Sequence, residues 1–255
     1  MRIYRENHVD HVDTTITAAS EAADLPASNL RDPDRGNVYR TGASSTDEAI
    51  VFDLASAKAV RSVIILDHTL TAGDSAIGLQ GNDTDSWGTP AVDEVITFAE
   101  GTMAHHLSAE ETYQFWRVIF TKSASGETRD IGRIFLGPYD EMARGPKIPD
   151  GLDITPVDLS QTDRALGGKT HSEIKGQYDN IIVDFPPIGD AQMDLLKSLS
   201  ESCGSHTPFF VSIDPTNEPV ELLYYVKAKS LKGRKVKMWG SAPVWDTSLE
   251  MNEEI

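Results

Sequence analysis

A mainly β protein of two domains is what the sequence predicts: an N-terminal β-sandwich over residues 1–140 and a β-rich α+β domain with one helix over residues 157–255. Three observations predict it. The apolar runs are short, rich in β-branched and aromatic residues, and bounded by Gly, Asp, Asn and Ser, which is the pattern of antiparallel strands. Only one stretch keeps a convincing 3.6-residue apolar period. Two prolines and two glycines within residues 145–151 mark a linker over residues 141–156, because both residue types interrupt strand pairing.

In the first domain, Ile50-Val51-Phe52-Asp53-Leu54 alternates apolar and polar residues, and Val60–Leu66 follows after a short polar turn. Phe115–Phe120 and Asp130–Gly137 complete the strand set, with one short helix expected around Pro26–Leu30. In the second domain, Thr155–Thr162 and Lys169–Gln177 read as strands around the turn Ala165-Leu166-Gly167-Gly168, and Tyr178–Phe185 as a third. Asp190–Ser200 is the helix. Met193, Leu195, Leu196 and Leu199 form its apolar stripe, Gly189-Asp190 can cap its start, and Gly204 lies near its stop. Phe209–Ile213, Val220–Val226 and Gly233–Trp239 are the remaining strands expected.

The net charge of −17 argues against nucleic acid and anionic membranes, since binding either needs basic side chains to displace counterions. The single cysteine, Cys203, cannot close an intramolecular disulfide. The charged start, Met1–His8, has no apolar run behind it, so no signal peptide is expected. No apolar stretch is long enough to span a bilayer.

Catalytic constellations are hard to assemble from these residues. His8 and His11 lie near Asp10 and Asp13, in a segment expected to be polar and mobile, without the framework that fixes metal ligands. His105 and His106 are adjacent and would point to opposite strand faces. Cys203 has only Glu201 and His206 nearby, so an inert thiol is expected. Gly167-Gly168-Lys169-Thr170 resembles the end of a phosphate loop but lacks the upstream glycine, leaving a hairpin turn. Asn29, Asp32 and Asp34 are calcium candidates by ligand type, with Asx-turn chemistry as the alternative. Lys227, Lys229, Lys232, Arg234, Lys235 and Lys237 form the basic run. By alternation it would line one face of a hairpin, either solvated or docked on an acidic neighbour.

Residues 18–20 and 26–34, then Tyr39-Arg40, Ile50–Leu54, Val60–Leu66, Trp116–Phe120 and Ile131–Gly137, together resemble the discoidin or galactose-binding-like jelly-roll family. The flanking cysteine pair of extracellular members is absent. Asp163–Gly168, the helix, and Pro208–Asp214 resemble phage minor-tail and baseplate-hub proteins. The combination resembles tail-tip components of long-tailed bacteriophages. That resemblance implies a non-enzymatic virion protein, made in the host cytoplasm and assembling with itself in three-fold or six-fold rings. Other tail proteins would be its neighbours, and its jelly roll would be free to touch host glycans. The alternative is a stand-alone carbohydrate-binding protein, which needs an aromatic platform; Tyr39, Trp87 and Tyr113 are the candidates.

Overall fold

The computed structural model describes residues 1–148, 150–164, 170–217, 220–236 and 244–254. The chain divides into two units, Glu6–Tyr139 and Met1–Arg5 with Asp140–Ile255. The first five residues therefore leave the domain that the sequence reading put them in. They form strand β1 (Arg2–Tyr4), which pairs antiparallel with Phe210–Ser212. A three-residue strand is too short to show alternation, and its partner lies some two hundred residues away.

The unit Glu6–Tyr139 is an antiparallel β fold built on β2 (Thr15–Ala18), β3 (Tyr39–Arg40), β4 (Asp47–His68), β5 (Ser75–Asn82), β6 (Val92–Val95), β7 (Gly101–Thr121) and β8 (Asp130–Gly137). Their order is β3-β8-β4-β7-β5-β6, with β2 on the flank of β4. The two strands expected at Ile50–Leu54 and Val60–Leu66 are one strand, β4, with a register break between Asp53 and Lys58. Ala55 sits in that break with φ +62°. Alternation then sends Ile50, Phe52 and Leu54 of β4 and Trp116, Val118 and Phe120 of β7 into one core with Val63, Ile65, Ile131 and Ile134. A 3-10 helix at Ala27–Arg31 covers part of it with Leu30.

Two buried ion pairs brace the loops. Lys122 and Glu48, both side chains fully buried, meet at 2.9 Å. Lys122 also donates to the Gly42 carbonyl at 2.6 Å, and Glu48 accepts from Ser20 Oγ at 2.7 Å. Arg129 grips Asp74 through two hydrogen bonds of 2.7 and 2.9 Å. Burial alone would raise the Asp74 carboxyl. The Arg129 guanidinium and the amides of Thr71 and Ser123 outweigh it and hold the group well below the usual carboxylate range.

The segment expected to be mobile at the start of this unit is folded. His8 and Val9 are buried, His8 Nε2 meets the Ala59 carbonyl at 2.8 Å, and Arg133 reaches Asp10 at 2.5 Å. Long-range partners, invisible in a local reading, order it.

The second unit carries a sheet of order β10-β13-β16-β15-β14-β1-β9. Its strands are β1, β9 (Asp140–Glu141), β10 (Leu152–Asp158), β13 (Gln177–Ile188), β14 (Phe209–Ser212), β15 (Leu223–Val236) and β16 (Val244–Glu253). A separate ribbon pairs β11 (Gln161–Arg164) with β12 (Thr170–Glu173). The expected linker thus holds sheet residues at both ends, in β9 and β10. The expected turn Ala165–Gly168 and phosphate-loop-like Gly167–Lys169 lie outside the described residues. Helix α1 (Asp190–Ser202) turns Met193, Leu196 and Leu199 onto the sheet. Gly233 permits the close approach, because a Cβ there would sit 2.6 Å from Met193 Cε. None of the described helices is long and apolar enough to cross a membrane.

Candidate functional site

The outward face of β4, β7, β5 and β6 is where side chains with binding chemistry gather. Because Trp116 and Val118 point into the core, Arg117 between them points out. Register places Arg117 opposite Gln80, and Gln80 opposite Asp93, in one row across three strands. The row is hydrogen-bonded along its length. Arg117 Nε donates to Gln80 Oε1 at 2.6 Å, and Gln80 Nε2 donates to Asp93 Oδ1 at 2.8 Å.

Trp87 closes this row from the β5–β6 loop. Its ring faces the Arg117 guanidinium at 4.4 Å, and its indole Nε1 donates to Asp85 at 2.6 Å. The loop is tied to its own strand by Asn82, which donates to the Ser86 carbonyl at 2.6 Å. The half-exposed ring is therefore held at both its edge and its face. Burial lowers the Arg117 pKa from the ordinary arginine value, against the pull of Asp85 and Asp93, and an arginine so placed keeps its charge.

Beside Arg117 the same face opens into a groove of about 340 Å³, with Ala49, Ala76 and Ile119 giving apolar surface and Asp47 and Thr121 polar groups. That size lies at the low end of small-molecule sites, about 300–1,000 Å³. Gly78 keeps Ile119 uncovered, since a Cβ there would approach Ile119 Cγ1 at 3.4 Å. Ala76 adopts φ +51° at the register break between Ser75 and Gly78. Non-glycine residues rarely adopt that conformation, and such strain concentrates at binding sites.

The residues singled out from sequence do not converge. Tyr39 cannot be a platform: it is fully buried, and its hydroxyl donates to the Ser20 carbonyl at 2.7 Å. Burial drives its pKa well above the ordinary tyrosine value. Tyr113 packs edge-on against Trp116 at 5.9 Å, half-buried against the core. Only Trp87 reaches the outward face just described. The carboxylates of Asp32 and Asp34 and the amide nitrogen of Asn29 face partners within the loop. Asp32 accepts from the Asp34 amide at 2.9 Å and from Asn37 at 2.9 Å, Asp34 accepts from the Gly36 amide at 2.9 Å, and Asn29 donates to the Val38 carbonyl at 2.9 Å. This is Asx chemistry closing the loop. Among the described residues no group of three or more His, Cys, Asp or Glu could hold a metal ion. Cys203 is buried, which pushes its thiol up.

The basic run does not line one face. A bulge between Ala228 and Ser230 shifts the alternation. Lys235 consequently reaches Asp190 at the start of α1, at 3.3 Å. Lys227 pairs with Glu254 at 2.9 Å and Lys229 with Glu250 at 2.7 Å. Arg234 lies opposite Asp246 on β16, and Lys237 lies outside the described residues. Three of the six charges, those of Lys227, Lys229 and Lys235, are thus neutralised within the chain.

Arg117, Gln80 and Asp93 escaped the sequence reading. The alternation of Trp116-Arg117-Val118 could have put Arg117 outside. Its pairing with Gln80 depends on register across a chain separation of 37 residues.

No family model matches the chain, and no curated protein matches it significantly. Among solved structures it is similar to CpGH89CBM32-6 produced by Clostridium perfringens, with 20% identity and TM-score 0.42, over 51% of this chain and 98% of that one. It is also similar to a Streptococcus pneumoniae fucose binding module, with 12% identity and TM-score 0.42, over 53% of this chain and 99% of that one. A third is the family 32 CBM from C. perfringens NanJ, solved in complex with galactose, with 14% identity and TM-score 0.41, over 55% and 100%. These similarities cover about half of the chain. None of the three is described as a phage tail protein.

Proposed function

We propose that the protein is a non-catalytic carbohydrate-binding protein that holds its ligand against the outward face of β4, β7, β5 and β6. The observation that carries this reading is Trp87, a half-exposed indole fixed by Arg117 and Asp85 at the end of a hydrogen-bonded polar row. A sugar ring has one requirement for its C–H face and another for its hydroxyls. A rigid aromatic surface meets the first at low entropic cost. Arg117, Gln80, Asp93, Asp47 and Thr121 supply donors and acceptors for the second. The known structures named above include modules with fucose and galactose in their descriptions, and the choice of first ligands follows them.

The test is affinity electrophoresis and calorimetry of the full chain with galactose, fucose and oligosaccharides carrying them. Saturable binding is expected, and Trp87→Ala should abolish it while lowering the melting temperature by only a few degrees, the size of one exposed cation–π contact. Binding that survives Trp87→Ala would move the site elsewhere. The absence of binding to any glycan on a broad array would remove the function.

A second reading, a self-assembling component of a phage tail, rests on a different observation. Among the described residues the β11–β12 ribbon pairs only with itself, and a lone two-stranded ribbon is marginally stable in water. Strand β10, at the sheet edge, leaves one side unpaired among the described residues. The solution mass of the full chain, with electron micrographs of the same peak, tests this. Rings support assembly, and a monomer at high concentration argues against it.

A further inference from the structure

The ion pairing along β15 is uneven, and the unevenness localises a second site. Lys227, Lys229 and Lys235 each meet a carboxylate within 3.3 Å. Lys232 and Arg234 form no ion pair among the described residues. With Lys147 they line a cleft of about 460 Å³, whose other walls include Asp184, Asp246 and Ser248. Sheet register builds it: Lys232, Ser248 and Asp184 stand opposite one another across β15, β16 and β13, and Arg234 stands opposite Asp246. Lys147 is brought in by its backbone, whose amide donates to the Asp184 carbonyl at 2.9 Å. Gly151 allows that approach, because a Cβ there would lie 2.7 Å from Lys147 Cβ.

Three cationic side chains around one cleft are unusual in a chain of net charge −17. Solubility does not account for them, since the other cations of this strand are neutralised in place. The cleft is not a bare cationic patch either. Asp184, Asp246 and Ser248 place acceptors among the donors, which a fully deprotonated anion such as sulfate cannot use. An anion that also carries hydroxyl groups satisfies both sets.

We propose that this cleft binds an acidic sugar of monosaccharide size. Its carboxylate or phosphate is held by Lys147, Lys232 and Arg234, and its hydroxyls donate to Asp184 and Asp246. The site uses no residue of the Trp87 face and stands or falls independently of it.

Calorimetry on the full chain at low ionic strength, with glucuronate, glucose 6-phosphate, inorganic sulfate and glucose, tests the proposal. Glucuronate or glucose 6-phosphate should bind saturably and more tightly than sulfate, and glucose should not bind. Arg234→Ala and Lys232→Gln should each weaken binding about tenfold or more, as loss of a charge-assisted contact does. Lys227→Ala, outside the cleft, should leave it unchanged, and melting curves of all three confirm folding. Sulfate binding as tightly as the sugars, equal affinity in the Arg234 and Lys232 variants, or no binding of either acidic sugar would each overturn the assignment.

Discussion

The Arg117 guanidinium carbon lies 4.4 Å over the Trp87 ring centroid while Nε of the same group donates to Gln80 at 2.6 Å. One planar cation thus fixes both the aromatic surface and the polar row beside it. Lysine cannot do both, because its ammonium is a point charge without a planar fork. Arg117→Lys should therefore lower sugar affinity about tenfold, measured by calorimetry, while costing only about 0.5–1 kcal/mol of stability, the size of an exposed cation–π contact. Unchanged affinity would show that Trp87 holds its orientation without Arg117.

Gly81 follows Gln80 on β5 and stands opposite Trp116 of β7. A Cβ there would fall 2.9 Å from Cζ3 of Trp116, which is fully buried. The indole cannot retreat, being packed edge-on against Tyr113 and hydrogen-bonded through Nε1 to the Tyr113 carbonyl at 3.1 Å. Gly81→Ala should destabilise the sandwich unit by about 1–3 kcal/mol, as overpacking does. Urea denaturation measures it, and a neutral result would mean that Trp116 has room to move.

Three histidines of the sandwich unit, His8, His68 and His105, have pKa values lowered chiefly by burial. Unfolding restores each to about 6.5. The unfolded chain therefore binds more protons as pH falls through that value, so the contribution of these groups is fully present above it and is lost below. Each contributes at most about 1.4 kcal/mol per pH unit. As pH drops from 7.5 to 6 the melting temperature of the unit should fall, the three histidines outweighing the opposite contribution of Asp10, whose carboxyl burial raises to about 6. A flat or rising profile would contradict neutral buried imidazoles in the folded state.

How far the fold was legible depends on the range of the interaction that forms each element. Asp130–Gly137 and α1 announce themselves locally, the first by a β-branched and aromatic run, the second by a stripe that needs only its own turns. Val244–Glu253 has no counterpart among the expected strands, although Leu249 and Met251 alternate into the core, because most of its other residues are polar. β1 and the His8–Asp10 turn were misplaced for the opposite reason. Their partners, Phe210–Ser212, Ala59 and Arg133, are remote in sequence. For the candidate site, Trp87 stood out as an aromatic in a polar loop. Arg117, Gln80 and Asp93 did not, since a polar residue on a strand is ordinary until register shows what faces it.

The Lys122–Glu48 pair yields the most demanding prediction about stability. Both side chains are fully buried, 2.9 Å apart, and each has a second partner, the Gly42 carbonyl and Ser20 Oγ. Burying two charges costs several kcal/mol per ion before their attraction offsets it. Removing one partner leaves the other charge without compensation, so Lys122→Met should destabilise the unit by about 3–5 kcal/mol. Replacing both, as Lys122→Met with Glu48→Leu, removes both desolvation penalties and adds apolar contact. The double variant should then be distinctly more stable than Lys122→Met alone, despite leaving Ser20 and the Gly42 carbonyl short of a partner. Urea denaturation of the two single variants and the double variant closes the cycle. Additive losses would mean that water reaches the pair and that each charge is solvated on its own.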